Sequence, residues 1–134
     1  MLILLLGIAV FIGVHLVPTE PDLRSGLVAR FGENAYKAAF AVLSLAGFAL
    51  IVLGYHKLQI MPGKNPVIWS PPVWPRHIAL ALMLPSMILL VSAYVPSRIR
   101  TATKHPMLVA VKLWALAHLL ANGDLGGMVL FGSF

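Results

Sequence analysis

A chain of 134 residues holds one domain and little more, and its 60% apolar and 10% charged residues stand far from the roughly 45–50% and about 25% of soluble domains. Water is therefore not its main solvent. The absence of cysteine excludes disulfides, thiolate haem ligation, iron–sulfur clusters and the usual structural zinc sites, while a net charge of +6 carried in short groups between apolar runs reads as membrane anchoring and not as nucleic-acid binding.

Residues 1–17 carry no charge and lack the basic start and small-residue cleavage site of a signal peptide, so they read as a first transmembrane helix, stopped by Pro18 and Pro21. Residues 18–34 carry charges of both signs and are expected to form a loop. A second helix is expected over 35–55, with Ala38, Ala46 and Gly54 spaced by eights as a surface for close helix contact. Residues 56–76 hold Pro62, Pro66, Pro71, Pro72 and Pro75 and read as a loop, in which Trp69 and Trp74 suit a membrane interface. A third helix over 77–95 contains Pro85, which frees a carbonyl one turn earlier that a neighbour or Ser86 has to satisfy. After a short basic loop over 96–105, Pro106 opens a fourth helix to Ala121, and Lys112 inside it is read as snorkelling to the interface. The last apolar run, 128–134, is too short to cross a bilayer and reads as an incomplete fifth segment of a shortened chain. The fold class is thus all-α, a polytopic bundle of four long helices plus that fifth piece, forming one transmembrane domain over 1–134.

Basic residues concentrate in cytoplasmic loops. The loops after the first and third helices share six (Arg24, Arg30, Lys37, Arg98, Arg100, Lys104) against three on the other side (Lys57, Lys64, Arg76), which favours an N-terminus outside.

With no cysteine, metal or acid–base chemistry rests on five histidines. His56 and His77 flank the proline-rich loop and read as interfacial groups. His15 and His118 lie within apolar helices, where an imidazole needs a partner. Trp114 and Asn122, at i−4 and i+4 from His118, supply an aromatic plate and an amide to orient the ring. A plain hydrogen bond from His118 to Asn122 or to a backbone carbonyl is an equally good reading.

The segments VHLVPTEPDLRSGL (14–27), FGENAYKAAF (31–40) and KHPMLVAVKLWALAHLLANGDL (104–125) resemble the NnrU family of bacterial membrane proteins along essentially the whole chain. The resemblance implies a multi-pass protein of the bacterial inner membrane, linked to denitrification and nitric oxide, and similar to the haem b enzyme 15-cis-zeta-carotene isomerase. It implies His15, His118 and His105 as cofactor-binding positions, with His15 and His118 as the haem iron ligands. Helix arithmetic points differently: His118, thirteen residues beyond His105, lies about 20 Å deeper, which pairs His15 in depth with His105. Two other classes stay open. One is a membrane methyltransferase, because Lys104-His105-Pro106 imitates the element that opens the cofactor region of such enzymes, although no carboxylate follows before Asp124. The other is a non-catalytic accessory or regulatory subunit packed on other membrane subunits. The expected partner in every case is the lipid bilayer; no substrate is legible.

Overall fold

The computed structural model describes residues 1–134 as seven α-helices with one isolated antiparallel bridge, between Val67 and Asp124, and no strand. Two units, Met1–Lys64 and Asn65–Phe134, each hold their own packing.

In the first unit α1 (Leu2–Leu16) gives way to a 3-10 turn at Val17–Thr19, where Pro18 ends the regular ladder and the Thr19 hydroxyl donates to the Leu16 carbonyl at 2.6 Å. The expected loop over 18–34 instead folds as α2 (Pro21–Phe31). Proline stands at its first position, Asp22 in its first turn and Arg30 in its last, a charge order that suits the helix dipole, and Gly32 at φ 83° closes it. α3 (Glu33–Ile60) is longer at both ends than the expected 35–55. Its exposed Glu33–Lys37 pair, at 2.7 Å, contributes little.

Glycine sets how α1 meets α3. A Cβ at Gly54 would stand 2.5 Å from the Leu4 amide nitrogen, one at Gly47 would stand 2.8 Å from the Phe11 nitrogen, and one at Gly7 would stand 2.6 Å from the Ile51 nitrogen. Backbones approach this closely only where neither helix carries a side chain, which is how helices gain packing energy when lipid removes the hydrophobic driving force between them. The seam therefore runs through Gly47 and Gly54. The expected Ala38 and Ala46 face outward.

The second unit begins with an extended, proline-rich segment over 65–72 and continues into α4 (Val73–Ser92), which starts four residues earlier and ends three earlier than expected. Pro85 lies inside α4. The adjacent Ser86 hydroxyl does not turn back to its own helix but donates to the Ala110 carbonyl at 2.8 Å, a buried bond tying α4 to α6. The basic loop over 96–105 contains a short helix, α5 (Arg98–Thr103), whose Ser97 cap accepts from the Arg100 amide at 3.2 Å. Lys104 then takes φ 59° and ψ −51°, the centre of a γ-turn closed by the His105 amide on the Thr103 carbonyl at 2.6 Å. α6 (Pro106–Ala121) has the bounds expected, with His105 as its N-cap.

α7 (Leu125–Gly132) packs on α6, with Phe131 and Phe134 reaching Trp114 at ring distances of 5.1 and 6.2 Å. A polar clasp holds the α6–α7 corner. The Asp124 carboxylate accepts from the Gly127 amide and from the Asn65 side-chain amide, both at 2.8 Å, and the Asn65 carbonyl oxygen accepts from the Gly126 amide at 2.7 Å. The Ile68 amide donates to the Gly123 carbonyl at 2.7 Å and the Leu125 amide to the Pro66 carbonyl at 3.0 Å. Gly123 fits because any Cβ there would run into the Trp69 carbonyl.

Three stretches, Leu2–Thr19, Glu33–Ile60 and Val73–Ser92, are long and apolar enough to cross a bilayer. The expected fourth, α6, is apolar but has only 16 residues, short of the ~20 that a span usually needs. Exposed Leu5, Leu6, Leu45, Leu53, Leu80 and Leu84 give these helices an apolar outer face that suits lipid.

Candidate functional site

His118 lies in the last turn of α6, and its Nδ1 sits 2.8 Å from the Trp114 carbonyl, one turn back. A carbonyl only accepts, so Nδ1 carries the proton and Nε2 keeps its lone pair. No protein group bonds to Nε2. The ring stacks on Phe131 at 4.5 Å and 27° and leans on Trp114 at 4.7 Å and 50°, so both α6 and α7 fix its plane. The ring is half-buried.

Asn122 does not orient it. That residue caps α6 in an extended conformation, φ −114° and ψ 135°, so it has left the helical face that would have placed it one turn above His118. Its backbone amide donates to the His118 carbonyl at 2.9 Å instead.

The first unit repeats the arrangement on α1. His15 Nδ1 lies 2.7 Å from the carbonyl of Phe11, again the aromatic residue four positions earlier, and the Phe11 ring packs on the imidazole at 4.2 Å with Phe40 of α3 edge-on at 5.2 Å. His15 is the next-to-last residue of α1 and is exposed. Beside it lies an almost wholly apolar cavity of about 390 Å³ bounded by α1, α2 and α3, with Val14, Leu27, Phe31 and Phe40 in its wall.

His118 also lines a cleft of about 330 Å³ between α4 and α6, open on one side. Ala79, Ala117 and Ala121 keep its walls low, Leu80 and Met83 add apolar surface, and exposed Arg76 lies at its edge, the cleft surface itself being almost wholly apolar. His105 is exposed at the opposite end of α6 from His118, about 20 Å away at 1.5 Å per residue, so within this unit the two imidazoles do not share a site. The whole of α6 separates Lys104-His105-Pro106 from Asp124, the carboxylate a methyltransferase reading needs. His56 and His77 are exposed on α3 and α4.

No group of three or more His, Asp or Glu side chains comes together, so a bare ion held by several side chains has no site. A haem fits this donor set better, because the porphyrin supplies four nitrogens and asks the protein for only one or two imidazoles with a free lone pair.

These features define an all-helical, multi-pass membrane protein whose distinctive polar groups are single histidines framed by aromatic rings. The chain belongs to the NnrU protein family, whose sequence pattern matches residues 3–134. No curated protein and no solved structure matches it.

Two residues at the site escaped sequence reasoning: Phe131, whose signal was its place in the final apolar run, and Arg76, which entered only the count of basic residues.

Proposed function

We propose that this NnrU-family protein binds haem b, with His118 and His15 as the residues that would hold the iron through Nε2, and that it acts in nitrogen-oxide handling or related redox or isomerase chemistry in the bacterial inner membrane. One observation carries the reading: both histidines spend Nδ1 on the carbonyl of an aromatic residue one turn earlier and leave Nε2 without a partner. Ligating histidines commonly show this frame, since the bond at the far nitrogen fixes the tautomer and raises the basicity of the ligating one. The Phe131 and Trp114 rings hold the plane of half-buried His118, and Phe11 and Phe40 contact the ring of exposed His15. When bound, the haem would supply redox-active iron. His105, the alternative ligand, has its ring at the N-cap of α6 and cannot join His118 on one iron.

The test is the visible spectrum of detergent-purified protein from a haem-sufficient host. A Soret band lost or shifted in His118→Ala and in His15→Ala, and unchanged in His56→Ala and His77→Ala, is the expected result. A wild-type protein without the band, or a His15→Ala/His118→Ala double variant that keeps it unaltered, overturns the proposal.

A further inference from the structure

The second unit carries five basic residues against one acid, and four of the five, Arg98, Arg100, Lys104 and Lys112, fall between the start of α5 and the middle of α6. All four are exposed. The acid, Asp124, lies beyond the other end of α6 and is held in the clasp, too far along the helix to pair with any of them. Connectivity sets this group of charges at a membrane surface: α4 is long and apolar enough to span and ends at Ser92, and Arg98 follows six residues later. Lys112 stands apart from the other three. It is the seventh residue of α6, about 9 Å along the axis from Pro106, between exposed Leu108 and Leu116 on one stripe of the helix. A helical side chain leans toward the start of its own helix, so the Lys112 stem runs back toward the basic turn and carries its ammonium that way. Like charges then gather above an apolar stripe. A nucleic acid or an acidic peptide would answer the charges and leave Leu108 and Leu116 uncovered. A phospholipid presents a phosphate and then hydrocarbon, in the order this face requires.

We propose that the α4–α6 turn and Lys112 form a binding site for an anionic phospholipid, its headgroup among Lys104, Lys112 and the two arginines and an acyl chain along Leu108 and Leu116. Full-length protein in detergent is titrated with phosphatidylglycerol and with phosphatidylcholine, and native mass spectrometry gives a Kd for each. Wild type is expected to bind phosphatidylglycerol about tenfold or more tighter. Each basic residue beside a membrane adds about fivefold for an anionic lipid, so Lys112→Gln and Lys104→Gln should each weaken phosphatidylglycerol by about that factor and leave phosphatidylcholine unchanged. Lys112→Arg should keep the preference, and Lys57→Gln, in the first unit, should not alter it. Circular dichroism of each variant shows that the fold is kept. Equal affinity of wild type for the two lipids overturns the proposal, as does an undiminished preference in Lys112→Gln or a loss in Lys57→Gln as large as in Lys112→Gln, which is the mark of unspecific surface charge. Binding of a DNA oligonucleotide by wild type with no preference between the lipids gives the face to a soluble polyanion and overturns it too.

Discussion

Replacing Gly54 with alanine tests whether the α1–α3 seam is set by backbone contact. The new methyl would lie 2.5 Å from the Leu4 nitrogen, 2.7 Å from its Cα and 3.0 Å from the Ile3 carbonyl carbon, all main-chain atoms that no rotamer change can move aside. Ordinary carbon contacts begin near 3.5 Å, so α1 must retreat by about 1 Å, and a gap of that size forfeits about a quarter to a half of each dispersion contact it opens. Overpacking of this kind costs about 1–3 kcal/mol, and alanine's better helix propensity returns roughly 0.5–1, leaving a net loss of ~1–2 kcal/mol. Gly13→Ala is the control. It lies on α1 with nothing within 4 Å of its added methyl, and should gain the propensity term alone. Thermal unfolding in one detergent, followed by circular dichroism, reads both. Gly47→Ala should resemble Gly54→Ala, and the double variant should lose less than the sum, because once the helices have parted for one methyl the second meets little. A Gly54→Ala protein as stable as wild type would refute the seam.

Asp124→Ala and Asn65→Ala should each lower the stability of the second unit by about 1–3 kcal/mol through loss of a cap and of buried hydrogen bonds, and a double-mutant cycle should show them coupled; strict additivity would contradict the clasp. Lys104→Gly should raise stability in denaturant titration by about 1 kcal/mol, since glycine occupies φ 59° without the penalty a lysine carries, and a loss would show that the turn is not strained.

Some of this was legible in residues and some was not. α6 could be bounded from sequence because Pro106 fits the first position of a helix and the Asn122-Gly123-Asp124 run breaks one. α2 was missed because its mixed charges resemble a loop; what marks it as a helix is where the charges fall, with acid first and base last. The small-residue face was read at the wrong interval: eight residues turn the helix about 800°, some 80° off the starting face, whereas seven turn it about 700° and come within about 20° of it, which is why Gly47 and Gly54 align. His118 was singled out by its place in an apolar helix, and its neighbour Trp114 does pack against it. It was Trp114's carbonyl that held Nδ1, and Asn122 dropped out because the helix ends one residue before it. The clasp joins residues 59 positions apart, and no local pattern announces such a pair. Arg76 and His118 meet on one cleft only because α4 and α6 pack together, a fact of tertiary structure.

The Ser86–Ala110 bond has a consequence for the order in which the chain is made. The first hairpin has all its parts once residue 60 has emerged, for its seam joins only α1 and α3. α4 enters the bilayer with Pro85 at its middle and a serine hydroxyl whose acceptor, 24 residues downstream, does not yet exist. At about 5–20 residues per second, that hydroxyl waits ~1–5 s for Ala110. During that interval α4 is the least settled part of the nascent protein, and the one most open to capture by an insertion chaperone or a membrane protease.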